Sequence, residues 1–494
     1  MSERMNDSVI AIAERVRRGE VTALAIAEAT LAKIDAQNAE LNAFITVARD
    51  EVLAQARAID DKRARGEALG PLAGVPVALK DALATRGVRT TCGSKMLDRW
   101  VPPYDATVVA KLRAADALLP GKTNMDEFAM GSSNESSAYG PAKNPHDRAR
   151  IPGGSSGGSA VAVAAAMTPA ALGSDTGGSI RQPAALSGTF GLKPTYGRVS
   201  RFGLVAFASS LDQIGPFASD VRGAARVLSV IAGKDERDMT SLDAPAADFE
   251  AACEKSVRGL RLGVPEEYFA KGLDPEIEAS VRAAIARLEA DGCVVKKVHL
   301  AHTKHAVATY YVLATAEASS NLARFDGVRY GLRVEGPGPS PRGALRTMYG
   351  ATRDAGFGLE VKRRILLGTF VLSAGYYDAY YLKAQKVRTL IRRDFDDAFG
   401  EVDAIVCPTS PSPAFRLGEK TSDPLAMYLS DVYTLPASLA GLPAASVPCA
   451  PTRDGLPVGL QIVAPALRED TVLSLASAWE DLRSRPDADV GPRA

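Results

Sequence analysis

The chain has 494 residues, which is enough for several average domains or for one large α/β sheet. Its 59 basic and 58 acidic residues give a formal net charge of +1, which excludes a protein that holds nucleic acid by charge alone. The five cysteines are scattered and form no Cys-x-x-Cys pair, which is typical of reduced thiols in a cytosol-like compartment. No apolar run approaches the roughly 20 residues of a membrane span. We therefore expect a soluble, cytoplasmic protein.

Hydrophobic periodicity predicts the elements in chain order. Apolar positions at helical spacing predict helices over residues 7–64, with Thr22 as an N-cap. The apolar run 71–80 predicts a strand that ends at Lys80, and a helix over 106–116 and a short strand at 118–119 follow. Further strands are predicted at 170–174, 260–264, 294–298, 404–407, 445–448 and 458–464. Further helices are predicted at 157–167, from about 179, and at 274–291, 304–322, 357–374, 376–399 and 469–483.

This alternation of strands and helices predicts an α/β fold, with a large sheet covered by helices on both faces. The chain shows no internal repeat and no long flexible linker, so we expect one domain over residues 1–494. Its parts would be a helical segment at about 7–64, a core at about 70–220, and a C-terminal part at about 255–485 that completes the sheet. A surface loop is predicted at 335–343, which is rich in proline and glycine.

Two glycine–serine loops carry the clearest chemical signal. One is 153–159, which contains Ser155, and the other is 175–181, which contains Ser179, 24 residues further on. A serine hydroxyl is a poor nucleophile unless a base removes its proton and donors stabilise the oxyanion that it creates. Neither loop contains a histidine, so the base must be a different residue.

The second loop has the form expected of an oxyanion site. A strand that leads through Thr176, Gly177 and Gly178 into a helix would place successive backbone N–H groups near Ser179. The glycines would also leave room for a substrate carbonyl. We interpret Ser179 as the nucleophile and the amides of these residues as the oxyanion hole. Considered alone, the loop is equally consistent with a structural turn that ends in a serine N-cap.

Lys80 is the candidate base. Burial at the end of an apolar strand disfavours the ammonium form and lowers the pKa of a lysine toward neutrality. Ser155 could then pass the Ser179 proton to Lys80. Considered alone, Lys80 is better explained as a solvated strand end, and only its combination with the two serine loops favours a base.

Three other motifs compete with this interpretation. Residues 153–157 fit the Gly-x-Ser-x-Gly elbow of α/β-hydrolases, with His299, His302 and His305 available as later histidines. The same histidines could suggest a metal site, but no acidic or sulfur ligand lies between them. Residues 121–123 resemble the end of a phosphate-binding loop that lacks its upstream glycine. Each motif is weaker than the paired serine loops.

Taken together, Lys80, the 153–159 loop and the segment 173–184 resemble the amidase signature family, whose members use a Ser–Ser–Lys triad. The resemblance implies an amidase-signature fold with a large central mixed sheet. It also implies that Ser179 forms the acyl intermediate and that Lys80 is the base. Ser155 would be the bridging serine, which in that family is associated with a cis peptide bond.

Longer stretches of the sequence indicate which branch of that family the chain resembles. Residues 121–133, 317–324, 360–365 and 373–381 are similar to the ammonia-producing A subunits of glutamyl-tRNA(Gln) amidotransferases, and the similarity extends from about residue 8 to 485. One local departure is Asp116, where we expect a glycine from the family pattern.

The resemblance implies a glutaminase within a heterotrimer. This chain would hydrolyse glutamine and pass ammonia to a B subunit, which uses ATP and Mg²⁺, while a small C subunit clamps the other two. The complex would amidate misacylated Glu-tRNA(Gln), and in some organisms Asp-tRNA(Asn). We expect no cofactor or metal on this chain. The alternatives are a stand-alone amidase that acts on another small amide and a catalytically idle scaffold protein.

A pocket for glutamine needs a cation for the α-carboxylate and an anion for the α-ammonium group. By position in the matched blocks, the resemblance implies Arg364 for the carboxylate, Asp431 for the ammonium group and Tyr310 as a hydrogen-bonding wall. From the residues alone, surface ion pairs and core packing explain the same three side chains.

Overall fold

The computed structural model describes residues 8–245, 247–270, 272–335 and 343–485. Within these ranges, eleven strands form one sheet. They are β1 (Phe44–Val47), β2 (Val77–Lys80), β3 (Gly121–Thr123), β4 (Ala170–Asp175), β5 (Phe190–Lys193), β6 (Gln213–Ala218), β7 (Arg261–Pro265), β8 (Val294–Val298), β9 (Ala404–Pro408), β10 (Ala444–Pro448) and β11 (Gly459–Val463).

The sheet is mixed, with the strand order β1-β3-β2-β4-β6-β5-β10-β11-β9-β7-β8. β2 runs parallel to β3 and β4, and β7 runs parallel to β8 and β9. The other pairs are antiparallel. Successive residues of β4 belong to different apolar clusters, with Ala170 and Leu172 in one and Ala171 in the other. Because side chains alternate along a strand, both faces of the sheet are covered, which confirms the predicted α/β class.

Helices fill most of the remaining chain. They are α1 (Val9–Arg18), α2 (Ala23–Leu41), α3 (Arg49–Ala64), α4 (Thr107–Ala114), α5 (Gly157–Ala164), α6 (Arg181–Ser187), α7 (Val221–Ile231), α8 (Phe249–Ala252), α9 (Pro275–Ala290), α10 (Ala306–Asn321), α11 (Ala344–Gly356), α12 (Leu359–Val371), α13 (Lys383–Glu401), α14 (Pro424–Tyr428), α15 (Leu435–Leu439) and α16 (Glu469–Ser484). The predicted N-cap is confirmed, since the Thr22 side chain accepts from the Ala25 N–H. In the ranges given above, no helix has both the length and the apolar character to cross a membrane.

Several predicted boundaries are wrong. The segment 7–64 is not wholly helical, because β1 lies between α2 and α3 and pairs with β3 at the edge of the sheet. The strand predicted at 118–119 lies later, at β3, and Leu118 makes only an isolated bridge with Pro76. The helix predicted at 376–399 begins at Lys383 and follows a π-helical segment, Tyr377–Leu382. Most of the loop predicted at 335–343 lies outside the described residues.

The departure from the family pattern at Asp116 has a structural account. Its φ is +61°, in the left-handed region that favours glycine. Aspartate tolerates this conformation better than most residues, because its short side chain can bond locally. Here the Asp116 carboxylate accepts from the Gly70 N–H at 2.5 Å and from Lys62 Nζ at 2.8 Å. These two bonds hold the turn before β3.

Candidate active site

Lys80 is the last residue of β2 and is completely buried. Its Nζ lies 2.7 Å from Ser155 Oγ and 3.0 Å from Ser174 Oγ. A third contact, 3.3 Å long, runs to the Ser174 carbonyl oxygen. The strand therefore delivers the amine into a set of hydroxyl and carbonyl groups and not into solvent.

Burial lowers the pKa of Lys80 to about 7. Three buried carboxyl groups, those of Asp126, Asp175 and Asp212, raise it and oppose the effect of burial. The balance leaves the neutral amine well populated near neutral pH, which is the form that can accept a proton.

The Ser155 loop packs against a buried aspartate, Asp126. The Gly154–Ser155 peptide bond is cis, and the Asp126 N–H donates to the Ser155 carbonyl at 3.2 Å. Gly154 has no room for a side chain, because a Cβ there would overlap the Asp126 carboxylate and lie 2.8 Å from the backbone nitrogens of Ser133 and Asn134. The backbone around Ser155 is therefore fixed on both sides.

The second loop connects β4 to α6 and lies against the first. The Ser156 N–H donates to the Ser179 carbonyl at 3.2 Å. Ser179 is buried but retains 8% of its surface. Within the described ranges, its hydroxyl makes no hydrogen bond to another protein group. It is therefore a partly accessible hydroxyl at the junction of the two loops.

Three consecutive backbone N–H groups of the second loop, the last of them that of Ser179 itself, have no acceptor in the described part of the chain. They are the N–H groups of Gly177, Gly178 and Ser179. Gly178 has a φ of +147°, and a Cβ there would collide with the Thr434 hydroxyl. When a serine hydroxyl attacks a substrate carbonyl, the carbonyl oxygen becomes an oxyanion. Free N–H groups next to the serine can stabilise that oxyanion.

A buried ion pair fixes the far end of this loop. Arg181 Nη2 lies 3.0 Å from Asp175 Oδ1, and both side chains are fully buried. Burial is the largest effect and raises the pKa of Asp175, but the Arg181 charge and hydrogen bond, the Lys193 charge and the Ile180 N–H together outweigh it, so the pKa lies below its usual value. The Arg181 side chain also donates to the C-terminal part of the chain, at Thr434 O, Gln461 Oε1 and Ser438 Oγ.

Arg364 lies on α12 and is buried among aromatic side chains. Its guanidinium carbon lies 5.2–5.5 Å from the ring centroids of Phe207, Tyr311 and Tyr428. Its Nε donates to Glu360 at 2.8 Å, and its two terminal nitrogens donate to no acceptor in the described part of the chain. Burial lowers the pKa of Arg364. The Glu360 carboxylate and the hydroxyl groups of Tyr310, Tyr311 and Tyr428 together outweigh burial and raise the pKa above its usual value. Arg364 is therefore charged, and its two terminal nitrogens are free to donate to a ligand.

Asp431 offers the complementary charge. Its Oδ2 accepts from the Ser132 hydroxyl, whereas its Oδ1 is buried and has no partner among the described residues. Burial raises the pKa of Asp431 to about 7, although Ser132 and Arg364 oppose the effect. A buried, unpartnered carboxylate oxygen costs free energy unless a ligand satisfies it.

Backbone and side-chain contacts place these pocket residues against the serine loops. The Thr434 hydroxyl lies 2.7 Å from the Gly177 carbonyl oxygen and 3.0 Å from the Asp431 carbonyl oxygen. Tyr310, on α10, also packs against this loop, since a Cβ on Gly177 would be 2.7 Å from Tyr310 Cζ. The sequence-predicted residues are therefore brought into one region.

Four further residues of this region were not predicted from the sequence. Ser174 contacts Lys80, Ser132 contacts Asp431, and Thr434 joins Asp431 to the second loop. Gln182 joins both loops, since its Oε1 accepts from the Gly154 N–H and its Nε2 donates to the Ser132 carbonyl. Ser174 and Gln182 lie within the 173–184 segment, so that segment was the available signal for both.

The competing motifs are not arranged for their chemistry. His302 Nδ1 lies 2.7 Å from Asp394 Oδ1, in a pair that includes no serine. Lys122 is fully buried and donates to the Leu83 carbonyl and to Thr90 Oγ1, so it is already committed. Across the described ranges, no group of three or more His, Cys, Asp or Glu side chains could hold a metal ion.

Comparison with known proteins decides the family. A sequence model of the amidase family, described as "Amidase", matches residues 25–473. This chain belongs to the amidase family. It is 59% identical to the A subunit of glutamyl-tRNA(Gln) amidotransferase from Koribacter versatilis, over 95% of this chain and 96% of that relative. It is 56% identical to the protein of the same name from Moorella thermoacetica, over 97% of this chain and 98% of that one.

A solved amidase-family structure is also similar. The crystal structure of the A subunit of glutamyl-tRNA(Gln) amidotransferase from Thermotoga maritima superimposes with a TM-score of 0.76 at 43% identity. The match covers 92% of this chain and 90% of that one. The resemblance inferred from the motifs is therefore confirmed over nearly the full length of the chain.

Proposed function

We propose that this chain is the glutaminase component of a tRNA-dependent amidotransferase. It hydrolyses glutamine and supplies ammonia for the conversion of Glu-tRNA(Gln) to Gln-tRNA(Gln), and the same ammonia would serve the conversion of Asp-tRNA(Asn) to Asn-tRNA(Asn). The main supporting observation is the buried Lys80 amine, 2.7 Å from Ser155 Oγ and with a pKa of about 7, behind the loop that carries Ser179. The names of its near full-length relatives support the same assignment.

The reaction begins with proton transfer toward Lys80. The neutral amine takes the Ser155 proton while Ser155 takes the proton of Ser179. Ser179 Oγ then attacks the side-chain amide carbon of glutamine, and the carbonyl oxygen gains the negative charge. The amides of Thr176, Gly177 and Gly178, with that of Ser179 itself, stabilise this oxyanion.

Collapse of the tetrahedral intermediate breaks the carbon–nitrogen bond. The proton held by Lys80 returns through Ser155 to the leaving nitrogen, so ammonia departs and a glutamyl ester remains on Ser179. Water then attacks the ester with the same relay as base. Glutamate leaves, and the Ser179 hydroxyl is restored.

Three residues recognise the amino-acid end of glutamine. The free terminal nitrogens of Arg364 bind the α-carboxylate, and Asp431 Oδ1 binds the α-ammonium group. Tyr310 forms a hydrogen-bonding wall beside the second loop. The supporting observation is that the buried Oδ1 has no partner among the described residues.

The ammonia is used by other proteins of the complex. A B subunit uses ATP and Mg²⁺ to activate the misacylated tRNA, and a C subunit clamps the other two in a cytoplasmic heterotrimer. The near-zero net charge of this chain is consistent with tRNA contacts that lie mainly on another protein of the complex. We expect neither ATP nor a metal on this chain, and we propose that it contains a single amidase domain.

The test is glutamine hydrolysis by the purified chain, alone and with the B and C subunits from the same genome. We expect glutamine use to rise when the partners are added and to vanish in Ser179→Ala. Strong, partner-independent turnover of apolar amides with glutamine ignored would instead identify a stand-alone amidase. Unchanged glutamine use by a complex that contains Ser179→Ala would identify a scaffold.

A further inference from the structure

A tight turn precedes β6 and closes on one carboxylate. The N–H groups of Leu211 and Asp212 both donate to the Ala208 carbonyl at 2.9 Å. Asp212 is only 2% exposed, and its side chain accepts from the N–H groups of Phe207 and Ala208 at 2.9 and 3.0 Å. A short carboxylate that binds backbone N–H groups a few residues away fixes such a turn. The conformation of this turn therefore depends on Asp212.

The same carboxylate binds the second serine loop. β4 and β6 are antiparallel, with Asp175 opposite Gln213, so the residue after β4 lies beside the residue before β6. These two residues are Thr176 and Asp212, and the Thr176 hydroxyl donates to Asp212 Oδ1 at 2.7 Å. Both residues are buried, so water has little access to this bond. The start of the second loop is therefore anchored to the turn.

The turn also packs against the candidate glutamine pocket. The centroid of the Phe207 ring lies 5.5 Å from the guanidinium carbon of Arg364. The Phe207 carbonyl accepts from Asn321 Nδ2 at 3.1 Å, and Asn321 ends α10, the helix that carries Tyr310. The turn therefore contacts Arg364 directly and is hydrogen-bonded to the helix of Tyr310.

We propose that Asp212 is a positioning residue for glutamine hydrolysis, because its carboxylate holds the second loop and the aromatic wall of the pocket in one arrangement. It acts through Thr176 and Phe207 and not by contact with the reacting atoms. The pocket binds the groups on the α-carbon of glutamine, while the loop receives the side-chain carbonyl, so the two sites must keep a fixed separation. This inference rests on the proposed function, because that function supplies the substrate.

Asp212 also acts on Lys80 through its charge. Burial raises the pKa of Asp212 to about 6, although its hydrogen bonds and the Arg201 charge oppose burial, so the carboxylate is ionised at neutral pH. Burial lowers the pKa of Lys80, and the Asp212 charge raises it. The other groups that raise it are Asp126, Asp175 and Cys92. Loss of the Asp212 charge should therefore lower the pKa of Lys80, whereas entry of water should raise it.

The experiment measures glutamine hydrolysis by the full complex with B and C subunits. Asp212→Asn keeps the shape of the side chain but cannot accept all three bonds, because its amide nitrogen only donates. We expect kcat to fall on the order of 100-fold and the KM for glutamine to rise, since both the loop and the pocket lose their anchor. Thr176→Val removes only the bond to the loop, so kcat should fall on the order of tenfold with little change in KM. Thr176→Ser retains the hydroxyl and should recover most of that loss.

Asp235→Asn is the matched control. Asp235 is also a carboxylate with little exposure, and it accepts from the hydroxyl groups of Thr107 and Ser200, which lie outside the candidate site. We expect this variant to lower the melting temperature and to leave kcat and KM as in the wild type. Thermal unfolding of every variant then separates lost positioning from lost folding.

The pH profile of kcat distinguishes positioning from a general loosening of the site. At saturating glutamine Asp431 is paired with the ammonium group, so the decline of kcat at low pH reports protonation of Lys80. We expect this decline to move to lower pH in Asp212→Asn and to stay near the wild-type position in Thr176→Val, which retains the charge. A move to higher pH in Asp212→Asn would show that water has reached Lys80, and it would overturn the proposal.

Other results would also overturn it. If Asp212→Asn has the kcat and KM of the wild type, Asp212 positions nothing and the proposed function stands. If Asp212→Asn does not fold, the Thr176 variants decide, and equal losses in Thr176→Val and Thr176→Ser would contradict a role for the hydroxyl bond. If the wild-type complex does not hydrolyse glutamine, this inference and the proposed function both fail.

Discussion

Lys80 can act as a base at neutral pH only because no water reaches its amine. The side chain is fully buried, and its amine contacts two hydroxyl groups, which can accept or donate, and one carbonyl oxygen, which can only accept, with no counter-charge in bonding distance. The sequence indicated Ser155 and Ser179 because each lies in a glycine-rich loop, where few side chains would block a substrate. It indicated Lys80 because that residue ends an apolar strand. Ser132 lies in the 121–133 block, but no local pattern could show that it contacts Asp431, because that contact joins residues far apart along the chain.

The pH dependence of glutamine hydrolysis follows from two groups. Lys80 must be neutral and Asp431 must be ionised, and burial places the pKa of each at about 7. Both requirements fail as the pH falls, so kcat/KM should decline below pH 7 with a limiting slope of about 2 on logarithmic axes. Asp431→Asn should reduce that slope to about 1. Initial rates between pH 5.5 and about 9 measure it, and a profile that is flat across neutrality would contradict the assignment.

Removal of the Asp431 charge should weaken recognition of the ammonium group specifically. We expect Asp431→Asn to raise the KM for glutamine by on the order of 30-fold, because the ligand's charge would be buried without its partner. Glutaramate, which lacks the α-amino group, is the matched substrate and should lose far less. Equal losses for both substrates would show that Asp431 acts on the structure of the pocket and not on the ammonium group.

At the scale of elements, the strongly periodic segments were predictable and the central short strands were not. β5 has the sequence Phe-Gly-Leu-Lys and β6 has Gln-Ile-Gly-Pro-Phe-Ala, so neither shows polar alternation and both contain residues that are unfavourable in strands. They form because buried neighbours pair with them on both sides. β1 was missed because it has only four residues, which is too short a run to stand out between two helices.

Packing of α12 on α10 should be sensitive to one methyl group. Gly368→Ala would force the helices apart, because the new Cβ meets backbone and not a flexible side chain. We expect a loss of about 1–3 kcal/mol in stability, together with weaker glutamine binding as Arg364 moves. Gly350→Ala is the control, since it lies in α11 with no atom within 4 Å of the new Cβ. It should stabilise by up to about 1 kcal/mol, and equal melting temperatures for both variants would contradict the packing account.

For the whole molecule, the sheet has two halves from different parts of the chain. β1 to β6 occupy one side and β7 to β11 the other, joined where β5 pairs with β10, with Leu192 opposite Ala445. Arg181 crosses the same boundary through its bonds to Thr434, Gln461 and Ser438. The alternation of elements predicted the class of this fold, but strand order depends on such long-range contacts and could not be predicted from local pattern.

If the two halves form one domain, they should unfold together. We expect a single calorimetric transition for the isolated chain, because the buried Arg181 contacts are lost when either half opens. Arg181→Met should lower the midpoint of that single transition, since it leaves Asp175 buried without its partner. Two well-separated transitions in the wild type would contradict the single-domain proposal.

The central claim is that glutamine esterifies Ser179. The most direct measurement is acid quenching of the full complex during turnover of labelled glutamine, followed by digestion and mass spectrometry of the peptides. The account predicts a glutamyl adduct on Ser179, present in the wild type and missing from Ser179→Ala. An adduct on Ser155 or on any cysteine, or labelled turnover without any adduct on the loop between β4 and α6, would contradict it.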